Sequence, residues 1–244
     1  YIAFFMAVLL ALLGRYVLFI LPLEMFKLQL FDPVIYASPV FGLSLGASFF
    51  NALTLFVAVY SLHLITRHFR RVIPHLVAQI VLSQFVVLCF LWIRSLVLDS
   101  VIDYHLNEIF SPDVHTYLAL IIVAGLLLSI YIFQHRMAFL FHIKNKAVAI
   151  TCGLVATAIL VFHLLYLSAG LLMTAVLALF FIMQQFFTIW RNQSRFKNQT
   201  LFSILIVLMA YTFCVTLILW TFQEKKDVLD MARFAESKLE DRDY

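Results

Sequence analysis

Charge is what this sequence has least of. Only 12% of its 244 residues are Asp, Glu, Lys or Arg, where a soluble domain carries about 25%. Hydrophobic residues make up 64% and the mean hydropathy is +1.02, which excludes an ordinary soluble fold. Cysteine is scarce too. Cys89, Cys152 and Cys214 each sit inside an apolar run, with no CxxC and no Cys/His metal spacing. A disulfide framework and a zinc site are both excluded by that pattern. The formal net charge of +4 is spread as short basic clusters between apolar runs. That is the pattern of membrane orientation, not of a nucleic-acid binder.

Other chemistry is missing as well. No paired acid and base and no metal cluster occur, so an intramembrane enzyme has no machinery to name. His63, His68, His75, His135 and His142 fall near one set of span ends and His163 near the other. They do not form the HxxxH and HxxHH boxes of a membrane di-iron oxygenase. The last apolar run has no Lys for a retinal Schiff base. No cofactor and no metal is expected. The first segment is no cleavable signal peptide: it lacks a basic start and a small-residue cleavage site, and Arg15 interrupts it.

What is present is a series of long apolar runs. Seven read as spans: about Ile2 to Leu21, Val40 to Ile65, Leu76 to Leu98, Val114 to Phe133, Ala147 to Tyr166, Leu171 to Trp190 and Leu201 to Phe222. The expected fold class is therefore all-α, a polytopic bundle of seven transmembrane helices over residues 1–222. An amphipathic extramembrane helix follows over residues 223–244. The fifth and sixth spans form an antiparallel hairpin through Ser168 and Gly170. The loop Asp99 to Asp113 has room for one short surface helix, with Val101, Tyr104, His105 and Ile109 on a face.

The loops alternate in sign. Arg67, Arg70 and Arg71 follow the second span, Arg136, Lys144 and Lys146 the fourth, and Arg191, Arg195 and Lys197 the sixth. The loops after the first, third and fifth spans hold one Lys, Lys27. The positive-inside rule then places the N-terminus in the cytoplasm and the charged last helix outside.

Polar residues within spans are costly in hydrocarbon and invite a functional reading. Arg15 and Arg94 fall in the outer halves of their spans, where their side chains snorkel or pair with Asp99, Asp32 or Glu24. The second span opens with Gly42, Ser44, Gly46, Ser48 and Asn51 at helical spacing. Its GxxxG pair reads as a helix-packing face and Asn51 as a cross-helix hydrogen-bonder. The same letters match a G-x-S-x-G nucleophile elbow around Ser44, without the strand-to-helix context that motif needs. Gln79, Gln84, Gln184 and Gln185 read as interhelical hydrogen-bonders. Trp92, Trp190 and Trp220 read as an interfacial belt.

The last stretch organises the rest. Leu201 to Phe222 has no charge, then Gln223 opens a run dense in charge, with no Gly or Pro between them. One rigid rod leaving the membrane is expected. Val228, Ala232, Ala235 and Leu239 are spaced four, three, four, a short heptad seam flanked by Met231 and Phe234. The seam suits an outer domain or a homodimer through the exit helix. Lys226 with Asp230, Asp230 with Arg233 and Lys238 with Asp241 are spaced to support the helix. The chain opens on Tyr1 and stops at Tyr244 in mid-pattern, so a longer parent chain is expected.

The run Phe31 to Leu53 resembles the N-terminal membrane part of large sensor histidine kinases of Bacteroidetes-type bacteria. There a P-x-I-Y-A turn precedes an S-L-G-D-x-x-x-N helix start. Pro33, Ile35, Tyr36 and Ala37 match the turn; Ser44, Leu45, Gly46 and Asn51 match the helix start, with Ala47 where that pattern has an acid. Ala235, Leu239, Arg242 and Asp243 approximate the family's A-x-x-L-x-x-x-R-D exit helix, with its spacings shifted by one. The resemblance implies an outer sensor region, a further span, and a cytoplasmic dimerisation and ATP-binding kinase core as partners within the same parent chain. On that reading the chain is the sensory or anchoring membrane region of a two-component kinase, and no histidine here is the phosphorylated one. The alternative, from residue chemistry alone, is a small-solute or ion transporter using Asn51, Gln79, Gln84 and Arg94 around a central cavity.

Overall fold

A computed structural model describes residues 29–66, 75–102, 113–140, 146–167, 174–183 and 200–240. The described residues are helical apart from short connecting turns, and no strand occurs among them. A 3-10 turn, Gln29–Phe31, precedes α1 (Leu45–Thr66), α2 (His75–Leu98), α3 (Val114–Leu140) and α4 (Lys146–Tyr166). Then come α5 (Thr174–Met183) and α6 (Thr200–Glu240).

Three of these are long and apolar enough to cross a membrane: Leu45–Leu64, Leu76–Leu98 and Val114–Gln134. At about 1.5 Å per residue the shortest of them covers roughly 30 Å, the thickness of a hydrocarbon core. The described residues do not support seven spans: where the fifth and sixth were expected there are only the shorter apolar stretches Ile150–Tyr166 and Thr174–Met183. The expected first span, with Arg15, lies outside the described residues.

Helix α2 is the centre. It packs against α3, α4 and α6, while α1 packs chiefly on α3. In the apolar window of α2, 56% of residues are buried inside the protein, against 33% in that of α1. Ala78, Leu82, Val86, Cys89, Phe90, Ile93 and Val97 supply the buried face. Their three- and four-residue spacing is that of one helix stripe. Phe85 meets Phe133 of α3 at 4.9 Å and Phe90 meets Phe222 of α6 at 5.5 Å between ring centroids.

Two boundaries differ from expectation. Helix α1 begins at Leu45, not Val40, because Pro39 and the positive φ of Gly42 (153°) hold the chain in a turn. The segment Asp99 to Ile102 is not helical; Ser100 forms an antiparallel bridge with Tyr36. The rest of the surface helix expected there, residues 103–112, lies outside the described residues. Helix α6 is unbroken for 41 residues, roughly 60 Å. It carries the apolar run into the charged run without a joint.

Candidate functional site: a polar cap at one end of the bundle

Trp92 of α2 meets Ser48 near the start of α1, so these helices are antiparallel. Gln84 and Arg94 meet His163 and Leu167 in the same order, and Phe90 and Ile102 meet Phe222 and Lys226 in the same order. Helices α4 and α6 therefore run parallel to α2. The start of α1, the ends of α2 and α4, and the point where α6 turns charged all gather at one end.

The turn leading into α1 seals that end. Ser44 caps α1: its hydroxyl accepts the Ala47 N–H at 3.2 Å and its carbonyl the Ser48 N–H at 2.9 Å. Ser38 and Gly42 exchange backbone hydrogen bonds at 2.9 and 3.2 Å. The Asn51 amide donates to the Phe41 carbonyl at 2.8 Å. Gly42 has no room for a side chain, since a Cβ there would lie 2.7 Å from the Ser48 nitrogen. Gly46 faces the Phe31 ring, 2.7 Å from the position of a Cβ.

Below the turn lies a cluster of buried hydroxyls. The Tyr36 phenol and Ser95 Oγ are 3.1 Å apart, and Ser95 donates to Asp99 Oδ2 at 2.6 Å. Trp92 Nε1 donates to Ser48 Oγ at 2.8 Å. Tyr36, Ser38, Ser44, Ser48, Trp92 and Ser95 are all buried. Burial pushes the Tyr36 phenol above its ordinary pKa, partly offset by its bond with Ser95, so it stays protonated. Backbone bonds tie the layer together: Ala37 N–H to the Asp99 carbonyl at 3.4 Å, Val101 N–H to the Ile35 carbonyl at 2.9 Å. Lys226 then brings in α6. Its ammonium is buried and donates to the Ile102 carbonyl at 2.8 Å, one turn beyond Gln223, which donates to Asp227 at 3.0 Å.

Several expectations need correction. The Gly42–Gly46 pair is not a helix-packing face, because Gly42 lies outside the helix and Gly46 meets an aromatic ring. Asn51 does not bond across helices; it closes the turn before its own helix. The Ser44 hydroxyl is taken up as a cap. Arg94 does not pair with Asp99 or Asp32. Its guanidinium donates at 3.2 Å to the Leu167 carbonyl at the end of α4, where a helix dipole favours a cation. Trp92 is no interfacial belt residue but a buried donor, whereas Trp220 is 62% exposed. Asp230 does pair with Arg233, at 3.6 Å.

The transporter reading needed Asn51, Gln79, Gln84 and Arg94 around one space. No hydrogen bond links any two of them. Gln79 is buried on α2, and Gln84 lies 3.5 Å from His163, whose ring nitrogen donates to the Ile159 carbonyl at 3.1 Å. Gln184 and Gln185 lie outside the described residues. The described cysteines, Cys89, Cys152 and Cys214, are unpaired thiols. Among the described residues no group of His, Cys, Asp or Glu is placed to hold a metal ion. The cap is thus a fastening between helices, and its buried hydroxyl cluster reaches one carboxylate, Asp99.

The bonds that make the cap were missed in the sequence because they join residues 44, 59 and 124 positions apart. Tyr36 and Asp99 were visible as residues, but nothing local predicted Ser95 between them. Taken together, fold and cap define an all-helical protein with three helices suited to crossing a membrane. No protein-family model, curated protein or solved structure matches the chain.

Proposed function

We propose that the chain is the membrane-embedded sensory and anchoring region of a two-component sensor histidine kinase, coupling an outer signal to a cytoplasmic kinase core elsewhere in its parent chain. On this reading it crosses a bacterial inner membrane seven times, with its N-terminus in the cytoplasm and the far end of α6 outside. The basic segments after α1 and before α4 follow the ends opposite the cap, which supports that orientation.

The observation that carries the reading is α6. It runs unbroken from apolar to charged sequence and is fastened to the cap by Lys226 where it changes character. A helix without a joint transmits displacement along its axis; a jointed one does not. Beyond Lys226 the seam residues Val228, Ala232 and Ala235 are exposed. They suit pairing with a second copy held at the same height by the membrane.

The test is to replace Gln223 and Glu224 with glycines in the full-length chain. Two adjacent glycines cost about 2 kcal/mol of helix at the point of exit. The expected result is normal insertion with the kinase output no longer following the stimulus. Unchanged signalling rejects the rod. A membrane-impermeant thiol reagent applied to intact cells should label Phe234→Cys; labelling only after lysis reverses the orientation.

A further inference from the structure

The turn from Asp32 to Leu43 exposes three large apolar side chains, Val34 at 74%, Val40 at 75% and Leu43 at 70%. A loop in water normally turns such groups inward. Seven of the turn's ten backbone N–H groups also donate within the protein. Asp32 N–H donates to the Gln29 carbonyl and Ile35 N–H to the Asp32 carbonyl. Val34 N–H donates to Asp32 Oδ1 and Phe41 N–H to Ser38 Oγ. Ala37 bonds Asp99, Ser38 and Gly42 bond each other, and Asn51 covers the Phe41 carbonyl. Pro33 and Pro39 have no N–H to satisfy. Asp32, the turn's one charged residue, is used as an internal acceptor.

An apolar outside over a backbone whose N–H groups mostly donate within the protein suits non-helical chain at the edge of the hydrocarbon, where the remaining groups still reach water. The position agrees. The turn enters α1 at Leu45, where an apolar stretch of membrane length begins. Tyr36 reaches Ser95, one helical turn inside the end of α2. Tyr166 at 80% and Trp220 at 62% exposure stand at the same end of the bundle, as aromatic side chains do at an interface.

We propose that the Asp32–Leu43 turn is a lipid anchor, lying in the headgroup–acyl boundary with phospholipid as the partner of Val34, Val40 and Leu43. The proposal rests on the membrane reading of the bundle but not on its orientation or on the kinase. Tyr36 faces inward from the same turn, so the anchor fixes the cap to the bilayer surface.

The test uses the whole chain with Cys89, Cys152 and Cys214 replaced by alanine, in phosphatidylcholine–phosphatidylglycerol vesicles. An environment-sensitive fluorophore is placed at Val40→Cys and, separately, at Val34→Cys; both sites are open enough to accept it. Leu128→Cys on the exposed face of α3 and Met231→Cys on the far part of α6 serve as references. The expected result is quenching of both turn labels by shallow-doxyl lipid more than by deep-doxyl lipid. Iodide should reach them less than it reaches Met231. Iodide quenching equal to that at Met231 overturns the anchor, and so does a label that neither quencher reaches, which means a protein covers the turn. If Leu128 is quenched by doxyl lipid and the turn is not, the anchor alone fails; if Leu128 is not quenched, the membrane reading fails with it.

Discussion

Between Asp32 and Ser48 several polar groups are answered from far along the chain. Tyr36 reaches Ser95, Ala37 reaches Asp99, and Ser48 holds Trp92. Between Val228 and Lys238 pairs form within the same helix: Asp230 with Arg233 at 3.6 Å, and Lys238 over the Phe234 ring at 5.8 Å. Both regions adjoin the cap, yet one is fixed by tertiary structure and the other by local helix preference. Exposed pairs of the second kind contribute only about 0.2–0.5 kcal/mol each. Disturbing the cap should therefore move the stability of the whole bundle, and disturbing the far rod should not.

The sharpest way to break the cap is Gly42→Ala. The residue sits at φ 153° and its new Cβ would meet backbone, the Ser48 nitrogen at 2.7 Å. Backbone cannot swing aside as a side chain does. The combined strain is on the order of 1–3 kcal/mol or more, read as a lower midpoint of thermal unfolding in detergent. Gly46→Ala is the internal control. Its Cβ meets only the Phe31 ring, at 2.7 and 2.9 Å, and a ring can turn. Its loss should fall at the low end of the roughly 1–3 kcal/mol typical of overpacking. An equal or larger loss at Gly46 would show that the turn is limited by ring packing rather than by backbone.

Lys226→Met tests the join between the two regions. It removes the donor to the Ile102 carbonyl and keeps most of the buried chain length. An unsatisfied buried carbonyl costs about 1–3 kcal/mol, so the stability loss should be smaller than for Gly42→Ala. The distinguishing readout is geometric. Spin labels at Val101 and Met231 should show a broadened distance distribution, while total helicity by circular dichroism stays constant. Lys226→Arg, which retains a donor, should restore the narrow distribution.

The same contrast explains how much was legible in the sequence. Helix α2 was readable to within one residue, expected from Leu76 to Leu98 and found as His75–Leu98, because a long apolar run is a local signal. The unbroken α6 was readable for the same reason: neither half holds a Gly or Pro. The start of α1 was misplaced because apolar residues continue from Leu45 back through the turn. The boundary is marked by Pro39, the backbone of Gly42 and the Ser44 cap. The cap was not legible, since serines scattered over three segments have no pattern until the helices place them together. Lys226 was assigned to Asp230 by spacing. Spacing along one helix carries no information about a carbonyl that is 124 residues away.

The smallest expected effect is at the start of α3, where a charge sits at the cap end without belonging to the buried cluster. Asp113 Oδ2 lies 2.6 Å from His115 Nδ1 and Oδ1 accepts the Val114 N–H at 2.7 Å. The hydrogen bond from His115, then that from Val114, holds its carboxyl below the ordinary value of 3.8. A carboxylate whose pKa is lowered by folding stabilises the protein above its unfolded pKa. That contribution fades as pH falls through the lowered folded value. The window is therefore the acid side of 3.8, and the effect is small and salt-sensitive because Asp113 is exposed. Asp113→Asn removes the charge and leaves an oxygen to cap the helix. Its unfolding midpoint should lie slightly below that of the parent at neutral pH, and the two curves should converge on the acid side of 3.8. The deficit of Gly42→Ala, which involves no titrating group, should stay constant across the same range. Parallel curves for Asp113→Asn would mean that its charge contributes nothing and that the cap of α3 depends on the oxygen alone.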